Sequence, residues 1–221
     1  KACIALKESG RNVLDCGIIP TPTVQFLIDK NNFSGGIIIT ASHNPIEWNG
    51  IKFIDSDGCF INSQKNSKLF KLAEDKKILN KIFSKGSIKK YTIGIKKHID
   101  HTIELSVIDK HKIIKQNLKV VIDSVNGAAS YALPKLLESL GCEVVQINCS
   151  YSGIFTRGPE PLPQNLGHLK KIITSSKADI GFATDPDGDR LAILDENGNP
   201  IGEEYTLTIC IDEFLMNNPT K

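Results

Sequence analysis

Several things are scarce in this sequence, and each shortage removes a class of function. The six cysteines, Cys3, Cys16, Cys59, Cys142, Cys149 and Cys210, form no CxxC pair, so the clustering that a zinc site needs is missing. Most fall within apolar stretches and read as small buried hydrophobes in a reducing cytoplasm, not as a disulfide framework. No apolar run approaches the roughly 18 residues of a membrane-spanning helix, and no signal-peptide pattern is visible. Charge of one sign is lacking too. The 27 Lys+Arg nearly balance 25 Asp+Glu, and a net charge of +2 gives no field to draw in nucleic acid or a membrane surface. There is no GxSxG elbow of a serine hydrolase and no GxGxxG of a dinucleotide site. No short-period repeat or low-complexity tract is present. A cytoplasmic protein without nucleic-acid or membrane partners is the expectation.

What is present is an ordinary globular composition, 40% hydrophobic and 24% charged, in 221 residues, enough for one large domain or two of usual size. Strand and helix patterns alternate. Residues 1–9 and 22–31 read as helices, the second with Val24, Leu27 and Ile28 on one face. GGIIIT reads as a strand and IKFIDSDG as the arm of a hairpin. A lysine-rich helix is expected over 62–83. The polar, basic stretch 85–109, with Gly86 and Gly94 as breakers, reads as a link between domains. A βαβ unit follows: KVVIDS, then the helix ALPKLLESLG, then CEVVQIN. NGAAS, between strand and helix, is read as a tight turn. FTRGPEPLPQNL reads as a long surface loop before a helix at 165–175. ADIGFAT and LAILDENG are two further strands, and a helix carrying Leu207, Ile211 and Leu215 begins after Ile201. The fold class expected is α/β, two consecutive three-layer α/β/α domains with mixed sheets: 1–95, 96–199 and the start of a third unit at 200–221. The chain opens inside a helical pattern at Lys1, without an initiator methionine, so a piece of a longer protein is expected.

Two stretches carry chemistry. In DPDGDR, Asp185, Asp187 and Asp189 alternate with Pro186 and Gly188, which break a strand into a tight loop. Three carboxylates this close repel one another unless a cation sits among them, and hard oxygen ligands suit magnesium. The EF-hand pattern fails, because an apolar strand follows and no glutamate closes a twelve-residue loop. A polar turn would need only two acids. Arg190 offers a planar fork for a phosphate, or else simply neutralises the loop. The second stretch is TASHNP, at the end of the GGIIIT strand. Ser42 and His43 there are either turn residues or a nucleophile with its neighbour. A serine beside a metal can accept and return a phosphoryl group.

TASHNP, the EWNGIK segment and DPDGDR together resemble the α-D-phosphohexomutase superfamily, whose members include phosphoglucomutases, phosphomannomutases and phosphoglucosamine mutases. The resemblance covers essentially the whole chain. It implies that Ser42 carries the transferred phosphate, and that Asp185, Asp187, Asp189 and a phosphate oxygen on Ser42 ligate Mg2+. Lys52 matches the lysine of the family's NGxK segment. Lys52 and His43 are the candidates for the proton transfer, Lys52 on condition of a depressed pKa. The implied partners are a hexose phosphate and a hexose bisphosphate. Sequences like FTRGPEPLPQNL and GEEYTL tilt the sugar toward glucosamine phosphate, ahead of mannose or glucose phosphate. The family's sugar-selecting loop and distal phosphate loop have no match here, so this chain alone is expected not to turn over. The rivals are a metal-dependent sugar phosphatase using Ser42, and a non-catalytic sugar-phosphate binder on the same fold.

Overall fold

The computed structural model describes residues 1–75 and 84–217. Its first unit contains α1 (Ala2–Glu8), β1 (Val13–Asp15), α2 (Thr21–Asn31), β2 (Gly36–Thr40), β3 (Gly50–Ile54), α3 (Ser63–Glu74) and β4 (Ile88–Lys90). Pro20 caps α2 and Pro22 lies in its first turn, where a missing N–H costs nothing. Asn32 ends it in the left-handed conformation. β2 and β3 form the expected antiparallel hairpin, with Ile38 opposite Lys52 and Thr40 opposite Gly50. Ile28 of α2 packs with Ile38 and Ile54, and Val24 and Phe33 close over them. The lysine-rich helix begins as expected at Ser63, capped by the Asn62 side chain. Its expected extension over 76–83 lies outside the described residues.

The second unit holds α4 (Gly94–Ile103), α5 (Lys110–Gln116), β5 (Lys119–Asp123), α6 (Ala129–Ser139), β6 (Glu143–Ile147), α7 (Gly167–Ser176), β7 (Ile180–Thr184), β8 (Leu191–Leu194) and α8 (Glu203–Asn217). The sheet order is β6-β5-β7-β8, the first three parallel and β8 antiparallel at the edge. β5 is buried on both faces, which explains its unbroken Val-Val-Ile run. Val121 faces one core with Leu169 and Ile173 of α7. Val120 and Ile122 face the other, with Leu137 of α6. Alternate residues of one strand thus serve two helical layers, and the three-layer α/β/α architecture with a mixed sheet follows. The large apolar side chains of α8, including Leu207, Ile211 and Leu215, are exposed. No helix among the described residues is long and apolar enough to cross a membrane.

Three expectations need correction. The stretch 85–109 is not a bare link. β4 pairs in parallel with β1, Val13 opposite Ile88 and Asp15 opposite Lys90, and α4 packs against both α2 and α6. Its lysines disguise an amphipathic helix. Gly94 is a close-approach residue, since a Cβ there would lie 2.8 Å from Leu27 Cδ1. Secondly, the cysteines are less buried than their apolar neighbours suggest. All six are free thiols, Cys59 and Cys210 are exposed and the other four are half-buried, because Cys142 and Cys149 flank β6 at the edge of a core instead of sitting in the strand. Thirdly, the FTRGPEPLPQNL loop is anchored inward: the Arg157 side chain is only 4% exposed.

Candidate active site

β7 and β8 pair up to Thr184 opposite Leu191, so Asp185 to Arg190 are the loop that closes this hairpin. Asp185 stands at the carboxyl end of a parallel strand and is 0% exposed. Its Oδ1 accepts hydrogen bonds from the backbone N–H groups of Asp189 and Arg190, each at 3.1 Å. Its Oδ2 is buried without a partner. Asp187 is 4% exposed, and its Oδ1 is also buried and unpartnered. Asp187 Oδ2 accepts from Thr21 Oγ1 at 2.6 Å and from Lys52 Nζ at 2.7 Å. Lys52 Nζ donates as well to Asp189 Oδ2 at 2.8 Å. One oxygen from each aspartate lies within 4.8 Å of the others. With both carboxyls ionised these two oxygens have no donor, a capacity that a hard cation would satisfy in this all-oxygen cluster, so the residues present fit a magnesium ion.

The electrostatics follow from this packing. Burial, and then the negative charge of Asp187, push the Asp185 carboxyl up to about 8. Burial acts on Asp187 in the same direction, but hydrogen bonds from Lys52, Thr21 and the Asp185 carboxyl, with the Lys52 charge, outweigh it and lower its pKa from the ordinary carboxylate value. For Lys52, burial disfavours the charge, yet its bonds to Asp187 and Asp189 raise its pKa above the ordinary lysine value. The depressed pKa that Lys52 needs as a proton acceptor is therefore not found: two carboxylates hold its proton in place.

At the other motif the letters of TASHNP build a locked turn. Ser42 lies two residues beyond β2, with φ of +53°. Its N–H donates to Thr40 Oγ1 at 2.8 Å, and the Asn44 backbone and side-chain N–H groups donate to the Ala41 carbonyl at 3.1 and 3.0 Å. Ser42 Oγ lies 3.4 Å from His43 Nδ1, long for a hydrogen bond. The β2–β3 ladder ties this turn to Lys52, and Lys52 ties it to the aspartates. The NGAAS segment is the tight turn expected, with Val125 and Asn126 both at positive φ. It packs on the aspartate loop: Ala128 N–H donates to Pro186 O at 2.7 Å.

Thus the structure joins Lys52 to Asp187 and Asp189, sets Asp185 behind them, and leaves Ser42 with His43. Arg190 points elsewhere: its Nη1 pairs with Glu160, and Lys52, not Arg190, neutralises the loop. Thr21 and Glu160 escaped the sequence reading. Thr21 sits in a PTP string that signals only a turn, and Glu160 in a proline-rich loop.

Comparison with known proteins agrees with this architecture. Residues 2–79 match the family model described as phosphoglucomutase/phosphomannomutase, alpha/beta/alpha domain I, and residues 96–198 match alpha/beta/alpha domain II of the same description. A "Phosphoglucomutase/phosphomannomutase" of Thermococcus kodakarensis is 38% identical over 218 residues, 96% of this chain and 46% of the relative. A "Probable phosphoglucosamine mutase" of Methanosphaera stadtmanae is 39% identical over 212 residues, 95% of this chain and 46% of the relative. The crystal structure of a phosphoglucomutase/phosphomannomutase family protein from Burkholderia thailandensis superposes with a TM-score of 0.80 at 28% identity, covering 98% of this chain and 47% of that one. The chain therefore spans about half the length of the relatives it matches. With two consecutive domain models matched in order on a fold that carries the aspartate loop, the chain belongs to the α-D-phosphohexomutase superfamily.

Proposed function

We propose that the complete protein is a phosphohexomutase, moving a phosphoryl group between the 6- and 1-positions of a hexose phosphate through a phosphoserine at Ser42 and a bisphosphorylated sugar. In this reading residues 1–95 form the phosphoserine domain, 96–199 the metal domain, and 200–221 open a third. The observation that carries it is the pair of orphaned oxygens, Asp185 Oδ2 and Asp187 Oδ1, in a cluster that Lys52 links to the serine hairpin. A magnesium ion held by Asp185, Asp187 and Asp189 would supply neutralisation of phosphoryl-oxygen charge.

The chain's own residues do the rest. The locked turn fixes the main chain that carries the Ser42 oxygen, and positioning is most of what phosphoryl transfer asks of a protein. In the first step the phosphoserine gives its phosphoryl group to a sugar hydroxyl: Lys52, held protonated, gives its proton to the departing Ser42 oxygen and takes one from the attacking hydroxyl. In the return step Ser42 attacks the other phosphate of the bisphosphorylated sugar, and its proton passes by way of Lys52 to the departing sugar oxygen. His43, whose Nδ1 lies 3.4 Å from Ser42 Oγ, is the other candidate for the proton transfer. Glucosamine phosphate is the favoured sugar, ahead of mannose or glucose phosphate: the Methanosphaera stadtmanae and Methanobrevibacter smithii relatives, 39% and 35% identical, both bear the name "Probable phosphoglucosamine mutase", while the Thermococcus kodakarensis relative, 38% identical, is named "Phosphoglucomutase/phosphomannomutase".

The test is to purify the complete protein, map its phosphopeptides, and follow glucosamine 6-phosphate by phosphorus NMR. Phosphate on Ser42 and a growing 1-phosphate signal are expected. Inorganic phosphate as the main product would make it a phosphatase, and no turnover of any hexose phosphate would leave a binder.

A further inference from the structure

The loop that precedes α7 holds both ends of the aspartate hairpin. Arg157 is nearly enclosed, and its donors reach three places. Nε donates to Asp123 Oδ2 at 3.1 Å. Nη2 donates to Thr184 O at 2.7 Å and to Asp123 O at 3.3 Å. Nη1 donates to the carbonyls of Gly158 and Pro159. Asp123 and Thr184 end the neighbouring strands β5 and β7, so one guanidinium spans two strand ends, and the second is the residue just before Asp185. Three residues on, Glu160 pairs with Arg190, the residue just after Asp189. Glu160 is itself fixed: its carbonyl accepts from Asn165 Nδ2 at 2.8 Å and from Leu162 N–H at 2.9 Å. Asp123 is braced further: Asn148 Nδ2 at 3.0 Å and His168 Nε2 at 2.8 Å share Oδ2 with Arg157, and Val125 N–H donates to Oδ1 at 2.8 Å.

We propose that Arg157 and Glu160 form a clip that fixes the entry and exit of the Asp185–Arg190 loop and so sets the spacing of its three carboxylates for a divalent cation. The inference rests on the metal reading of that loop. Charge-assisted hydrogen bonds from a planar fork hold a carbonyl in one orientation, which a single ammonium does not. Groups that orient metal ligands from behind govern affinity without touching the ion. Both are positioning residues. Glu160 has a second consequence, because it determines where the Arg190 guanidinium rests.

The experiment uses the complete protein with Mn2+ as probe, read by electron paramagnetic resonance and calorimetry. The variants are Arg157→Lys, which keeps a positive charge beside buried Asp123 but loses the fork to Thr184 O, and Glu160→Gln, which keeps shape and loses charge. The expected result is near-native melting without metal for Glu160→Gln, a lowered melting temperature for Arg157→Lys, and Mn2+ affinity of the folded protein weakened about 10-fold in each, with a broadened manganese spectrum. Wild-type affinity in both variants overturns the clip while leaving the metal loop standing. So does a loss of affinity that only parallels a loss of folded protein. A wild-type protein that binds no Mn2+ overturns the metal reading itself, and the clip with it.

Discussion

Thr21 grips Asp187 twice. Its backbone N–H donates to the Asp187 carbonyl at 2.8 Å, and its hydroxyl donates to Asp187 Oδ2 at 2.6 Å. The two residues are 166 apart in sequence and belong to different units of the chain. The start of α2 is therefore part of the aspartate loop's support. Thr21→Val keeps shape but removes one donor to a buried carboxylate. A destabilisation of about 1.5–3 kcal/mol is expected, the usual cost of a lost hydrogen bond to a charged group. Chemical denaturation of the complete protein measures it, and an unchanged midpoint would show that Lys52 alone suffices.

The Asp185 carboxyl makes metal binding pH-dependent. Its pKa is pushed up from 3.8 to about 8, so across that window the folded protein holds a proton that the unfolded chain has lost. Stability without metal should therefore fall as pH rises from about 3.8 to about 8 and level off above. Asp187, depressed, acts elsewhere: its contribution is present above its unfolded value and is lost only as pH falls through its folded pKa. Because a cation needs the ionised carboxylate, Mg2+ affinity should climb up to about pH 8, with proton release on binding. Calorimetry in buffers of different ionisation enthalpy reads that release, and a flat affinity profile from pH 6 to 8.5 would contradict the assignment.

Lys52→Met separates charge compensation from proton transfer. The ammonium pairs with Asp187 Oδ2 and Asp189 Oδ2 and so already neutralises carboxylates that a cation would share. Without it, Mg2+ affinity should rise about 10-fold or more, the equivalent of one charge-assisted hydrogen bond, while turnover of the complete enzyme falls. Weaker metal binding in the variant would mean that the lysine organises the aspartates and does not compete for them.

Gly127→Ala tests the contact between the NGAAS turn and the aspartate loop. A Cβ at Gly127 would lie 2.3 Å from the Pro186 carbonyl oxygen, and neither backbone can yield without moving the other. A destabilisation of about 1–3 kcal/mol is expected from the overpacking, with weakened Mg2+ binding. A variant that melts like wild type and binds metal normally would place slack where the structure has none.

Ser42→Ala in the complete protein should keep the fold and the aspartate loop, lose the mapped phosphate, and lose activity by about 1000-fold or more, as removal of a nucleophile does. Phosphate on another residue together with full activity would reduce Ser42 to a turn residue.

How much of this was legible in the letters depended on range. TASHNP and DPDGDR are built by neighbours: Thr40 and Asn44 lock one turn, and Asp185 accepts from residues four and five positions on. Short-range geometry of that kind shows in a string. The apolar run of β5 likewise announced a strand, though the burial of both its faces emerged only with the fold. Thr21 gave no sign, because its function depends on a partner brought near only by folding. Arg157 was hidden by its company, since prolines and polar residues signal surface while one buried carboxylate draws the guanidinium inward. α4 was masked because Lys96 and Lys97 lie on its solvent side, and Gly94 looked like a breaker when it is a contact.

The left-handed backbone at Ser42 decides which hydroxyl can stand there. At φ of +53° an ordinary L-residue already carries about 1–2 kcal/mol of strain, and a branched Cβ adds to it. Threonine would bring the same oxygen with a methyl group that this conformation rejects. Swapping serine for threonine, a mild change at a surface phosphorylation site, should here disturb the turn before any chemistry begins. The shape of the main chain thus favours serine over threonine at the proposed site of phosphorylation, whatever the reactivity of the alcohol.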